Sequence, residues 1–149
     1  MTEPVVSINV TDKALQEKLR EVAKKVSDPS ELMEEIGQIM LLSTDQRWEK
    51  EIDPNGDRWA ENSNYTRELK RARGQIDKIL QASGRARASI NYKVDKDQVI
   101  IGTNVEYMTK HQLGTEGQKK REFLGISDED KGEIAIAADD YLKRIIADQ

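Results

Sequence analysis

The chain has 149 residues, 36% hydrophobic and 35% charged, with a net charge of −4 at neutral pH. That length fits one domain, residues 1–149, with a modest core and a large charged surface, a balance that favours long helices or an oligomer. The absence of cysteine excludes disulfides, thiolate metal sites, iron–sulfur clusters and cysteine nucleophiles, and a single histidine, His111, excludes paired-histidine metal motifs.

In chain order, Val5 to Val10 reads as a short strand, with Val6, Ile8 and Val10 alternating onto one face. Thr11 offers a helix N-cap, and Leu15, Leu19, Val22, Ala23 and Val26 then recur at helical spacing, predicting an amphipathic helix over 12–26. Asp28 caps a second helix, with Pro29 at its first position and Glu31 completing a capping box. That helix runs through Leu32, Met33, Ile36, Ile39, Met40 and Ser43 and past Trp48 until Asp53-Pro54 stops it.

Asp53-Pro54-Asn55-Gly56 fits a type I turn. The alternating oxygens of Asp53, Asn55 and Asp57 resemble a calcium loop, but Arg58 stands where the bend needs glycine and Asn64 where a bidentate glutamate belongs. Residues 57–65 form a loop pinned by Trp59, and Thr66 caps a further helix with Leu69, Ala72, Ile76, Ile79 and Leu80 inward until Ser83-Gly84. Ala88, Ile90, Tyr92 and Val94 alternate like a half-buried strand, Asp95-Lys96-Asp97 turns, and Gln98 to Thr103 returns, giving a hairpin over 87–103. A short helix over 105–113 ends at Gly114, and a polar stretch over 115–122 reads as a mobile loop. Ser127 and Asp130 make another capping box, followed by a helix with Ile134, Ala137, Ala138, Tyr141, Leu142, Ile145 and Ile146 inward. The predicted class is α+β, a small antiparallel sheet of that hairpin and the N-terminal strand flanked by long helices.

Charge is segregated. Seven basic and two acidic residues lie between Arg67 and Arg87, whereas Ser127 to Gln149 holds seven acidic and three basic. Arg67, Lys70, Arg71, Arg73, Lys78, Arg85 and Arg87 carry the case for nucleic acid, because clustered cations gain affinity by releasing phosphate counterions. No helix-turn-helix pattern or interleaved aromatic residues support it, so contact with an acidic protein surface competes with DNA binding. Opposite patches on one chain suit a head-to-tail contact between copies, the kind that closes into rings. Catalysis finds no constellation: His111 has no nucleophile signature beside it, neither Ser83-Gly84 nor Gly102-Thr103 forms a phosphate loop, and no cofactor is implied. With no charged leader and no apolar run near the roughly 20 residues that span a bilayer, the expectation is a cytoplasmic protein without membrane contact.

Five pieces in fixed order carry a resemblance. They are Trp48-x-x-x-Ile52-Asp53-Pro54-x-Gly56-x-x-Trp59, Ile79-Leu80-x-x-Ser83-Gly84 before Ser89-Ile90, Val99-x-Ile101-Gly102-Thr103, Tyr107-x-x-x-His111-Gln112-x-Gly114, and Arg121-x-Phe123-Leu124-Gly125-x-Ser127. Together they resemble the phage virion morphogenesis family, also described as tail completion proteins, over roughly residues 48–130. The chain departs from the family pattern at Glu122, where proline is common, at Met108, where alanine is usual, and at Ala86, often leucine.

The resemblance implies a non-enzymatic α+β particle protein of tailed phages and prophages, acting in tail completion or head-to-tail joining. Its partners are then other tail or neck proteins and further copies of itself. It works in the host cytoplasm during assembly, with the virion as a further destination. The resemblance also implies that Trp59 packs the turn onto the hairpin, that Tyr107, His111 and Gln112 cluster where the mobile loop begins, and that Phe123 and Leu124 anchor its far end beside Arg121. A small DNA-binding protein using the 67–87 segment is the alternative.

Overall fold

The computed structural model describes residues 6–7, 12–75, 79–80, 84–95, 98–115 and 117–147. Among them the elements run β1 (Val6–Ser7), α1 (Lys13–Lys25), α2 (Ser30–Lys50), α3 (Asn64–Ala72), α4 (Arg85–Ala88), β2 (Asn91–Asp95), β3 (Gln98–Thr103), α5 (Met108–Leu113) and α6 (Asp128–Ala147). The class is α+β, with the hairpin and the N-terminal strand in one antiparallel sheet of order β1-β3-β2. Tyr92 stands opposite Ile101 and Val94 opposite Val99, while Val6 stands opposite Thr103. The predicted remainder of the first strand, Val5 and residues 8–10, lies outside the described residues, as do Ile76 and Lys78.

α2 is the spine. One side packs on β2 and β3, another on α6, and α1 closes over α6. That double duty explains why Leu32, Met33, Ile36, Met40 and Trp48 are all buried along one helix. Gly37 permits the closest approach: a Cβ there would lie 2.6 Å from Tyr92 Cε2 and 2.7 Å from its Cγ. The Tyr92 hydroxyl donates to Glu34 at 2.9 Å and accepts from Gln38 at 3.1 Å, locking ring to helix. The neighbouring Glu34 carboxylate raises the phenol above its ordinary pKa.

Local signals set most boundaries to within a residue or two. Asp12, rather than Thr11, caps α1 by accepting the Leu15 N–H at 2.9 Å. Pro29 occupies the cap position of α2, one residue later than the predicted Asp28, whose carboxylate still accepts from Ser30 N–H at 3.2 Å. The Ser127–Asp130 box is complete: each backbone N–H donates to the other side chain at 3.0 Å. Asp53 forms the expected turn, accepting from Gly56 N–H at 3.0 Å through its carbonyl and from Asn55 and Asp57 N–H at 2.9 Å through its carboxylate.

Two expectations are corrected. The helix predicted from Thr66 starts at Asn64, with Ser63 as its cap, and stops at Ala72, because Gly74 takes a positive φ of 66° and Gln75 N–H returns to the Lys70 carbonyl. Ile79 therefore reaches the core from a turn, its N–H held by the Glu51 carboxylate at 3.0 Å. Residues 85–88 are a helical turn instead of the start of the hairpin strand. Alternating Arg and Ala imitate a strand pattern, yet both are strong helix formers. Arg87 fastens the turn to α2 through Asp45 at 2.7 Å and Glu49 at 3.0 Å.

Candidate functional site

Residues of three of the motif pieces meet at one extended segment, 121–127, which bonds to residues 59–61 on one side and to α5 on the other. Trp48 on α2 forms the floor, with Trp59 edge-on at 5.5 Å and Phe123 tilted at 4.9 Å between ring centroids. Offset and edge contacts of this kind add to the burial of large rings. The Trp59 indole N–H donates to the Glu122 carbonyl at 2.8 Å. Trp59 thus ties the turn to this segment.

Polar side chains complete the clasp by bonding to main chain. Gln112 Oε1 accepts from both Phe123 N–H and Leu124 N–H at 3.0 Å, and its Nε2 donates to the Leu124 carbonyl at 2.8 Å. An extended segment buried away from any sheet needs such partners for its peptide groups. Arg121 is buried, donating to the Ala60 and Glu61 carbonyls at 2.8 and 2.9 Å, and its own N–H reaches the His111 carbonyl at 2.7 Å. Gly125 completes the close fit, since a Cβ there would sit 2.9 Å from Pro54 Cβ and closer still to Pro54 Cγ.

Beneath the clasp, Arg47 and Asp130 form an ion pair with side chains only 5% and 4% exposed. Arg47 also donates to the Phe123 carbonyl and to Ser43 Oγ, both at 3.1 Å, while Asp130 receives the Ser127 N–H. Burial lowers the Arg47 pKa, and Asp130 offsets that pull. Glu51 contributes from the end of α2, where its backbone is left-handed (φ 57°), its carbonyl accepts the Trp59 N–H at 2.8 Å and its carboxylate meets Arg58 at 3.4 Å. Neither Arg47 nor Glu51 stood out in the sequence, because their partners lie far along the chain or in an unforeseen turn.

His111 and Tyr107 face elsewhere. They line a cavity of about 490 Å³ with Arg121, Thr66 and Lys70. Gln112, by contrast, turns to the clasp, so the expected three-residue cluster divides. Burial lowers the His111 pKa, and the nearby Arg121 and Lys110 charges lower it further. Met108 and Ala86 line the same cavity, so the volume added at one departure from the family pattern adjoins the volume removed at the other.

The basic segment is dispersed. Arg67 pairs with Glu61 at 3.1 Å, Lys70 is buried and Arg87 is bound to α2, while the side chains of Arg71, Arg73 and Arg85 are solvent-exposed. Among the described residues no group of three His, Asp or Glu side chains is placed to hold a metal ion, and no helix is long and apolar enough to cross a membrane.

Fold and site together define an α+β protein whose most distinctive residues brace its own backbone. The phage virion morphogenesis family matches residues 10–143, and the chain belongs to that family. It is 28% identical over 122 residues to the Mu-like prophage FluMu G protein 1 of Haemophilus influenzae, covering 80% of this chain and 83% of that protein. No solved structure matches the chain.

Proposed function

We propose that the protein is a non-enzymatic assembly part of a tailed phage or prophage particle, acting in tail completion or head-to-tail joining through protein–protein interfaces in the host cytoplasm. The observation that carries this reading is the employment of Gln112, Arg121, Arg47 and Asp130. Each polar group is spent on the chain's own backbone or on a buried partner, fixing a scaffold rather than facing a substrate. The clasp holds α5 and residues 117–120 at the surface, where Tyr107 and Leu113 stand exposed beside an exposed polar stretch. Exposed aromatic and aliphatic side chains next to a polar segment suit a contact that completes its order on a partner.

Deleting the gene from the phage or prophage that carries it and viewing the lysate by electron microscopy tests the reading. The expected result is full heads with separate or unfinished tails, restored to joined particles when the wild-type gene is supplied in trans. Morphologically normal particles in normal numbers would contradict it. The DNA-binding alternative predicts that normal morphology, together with salt-sensitive duplex binding through Arg71, Arg73 and Arg85.

A further inference from the structure

A groove of about 640 Å³ runs beside α2, with Glu35, Ile39, Leu42 and Asp45 on one wall and Arg87 and Ile90 on the other. Its floor is apolar, and Leu42 at the lip is 60% exposed. Burying such a side chain against a partner removes apolar surface from water and stabilises the contact. The volume lies within the range that accepts large side chains or small ligands.

The surroundings of the groove are acidic. Glu34, Glu35, Asp45 and Glu49 lie along this part of α2, and the guanidinium on the facing wall, Arg87, is already bound by Asp45 and Glu49. Glu34 meets the Tyr92 hydroxyl and Glu35 lies 3.5 Å from Arg144, so the field is tempered but stays negative. The complement sits elsewhere on the same chain. On α3 and its end, Tyr65 is 71% exposed, and Arg71 and Arg73 are exposed, with Glu68 the acid between them. Tyrosine is a frequent anchor at protein interfaces, because its ring fills an apolar recess while its hydroxyl stays wet.

Resting on the assembly reading, we infer that the groove receives α3 of a second copy, with Tyr65 entering over Leu42 and Ile39 and with Arg71 and Arg73 facing Glu35 and Asp45. Donor and acceptor are different surfaces of one chain, so the contact is head-to-tail, and successive copies form a closed ring or an open series according to the rotation between them.

The test is sedimentation velocity of the full chain over a concentration series, with circular dichroism confirming that each surface variant is folded. Wild type is expected to self-associate. Leu42→Lys, Tyr65→Ala, Glu35→Arg and Arg71→Glu should each weaken association roughly tenfold or more, as interfacial charge or anchor changes do. The double variant E35R/R71E should recover much of the loss, because each reversed charge meets its reversed partner on the next copy. A wild type that stays monomeric, single variants that associate as wild type does, or a double variant without recovery overturns the inference. A groove variant that loses binding to a tail or neck protein while self-association persists also overturns it, assigning the groove to that partner. The gene deletion reads particle assembly independently, so a particle defect with a monomeric protein rejects this contact and leaves the assembly role standing.

Discussion

Replacing Asp130 with alanine is expected to destabilise the protein by roughly 3–5 kcal/mol, the usual cost of leaving one member of a buried ion pair without its partner. Arg47 would keep its charge in a site where its side chain is 5% exposed, and the Ser127 N–H at the start of α6 would lose its acceptor. For a domain whose whole stability is about 5–15 kcal/mol, that loss is a large share. Urea unfolding of the wild type, Asp130→Ala and the double variant Arg47→Met/Asp130→Asn provides the check. The double variant should be the more stable of the two variants, since it removes both charges, and the two sites should therefore be strongly non-additive. A change below about 1 kcal/mol for Asp130→Ala would mean that the pair behaves as a solvated one.

Phe123→Ala should cost a similar amount, roughly 3–5 kcal/mol, because it deletes a fully buried ring from the core. The ring packs at 4.9 Å from Trp48, and its backbone is the segment that Gln112 and Arg47 hold. Phe123→Leu should cost distinctly less, since much of the volume remains. The two effects separate by protease. In the wild type, trypsin is expected to cut after the exposed Lys119 and Lys120 and to spare the buried Arg121, whereas Phe123→Ala should open cleavage after Arg121 as the clasp loosens. Unchanged cleavage sites together with near-normal stability would show that the segment is held without its ring.

These two sites also mark what the sequence could and could not disclose. The Ser127–Asp130 capping box and the Asp53–Gly56 turn were legible because each depends on partners within a few residues. The α2 stripe and the β2 alternation were legible because burial repeats with the period of the element. The inward roles of Gln112 and Arg121 were not, since a polar residue read locally looks like a surface group. What buries each is a backbone carbonyl or amide 11 to 61 residues away. Arg47 and Asp130 are separated by 83 residues, and no spacing rule joins them. The hairpin predicted from residue 87 begins only at Asn91, because Arg87 and Ala88 close the Arg85–Ala88 helical turn and alternation of a small and a long side chain occurs in both settings. The ion pairs from Arg87 to α2 decide it.

The most direct test of the assembly role is the solution mass of the purified protein by light scattering, alone and after addition of tail and neck proteins of the same phage or prophage. The account predicts a defined complex with one of those components, heavier than the protein alone and retained when the 67–87 cations are challenged with moderate salt. A mass indifferent to every tail and neck component, coupled with salt-sensitive binding to duplex DNA, would contradict it and favour the nucleic-acid reading.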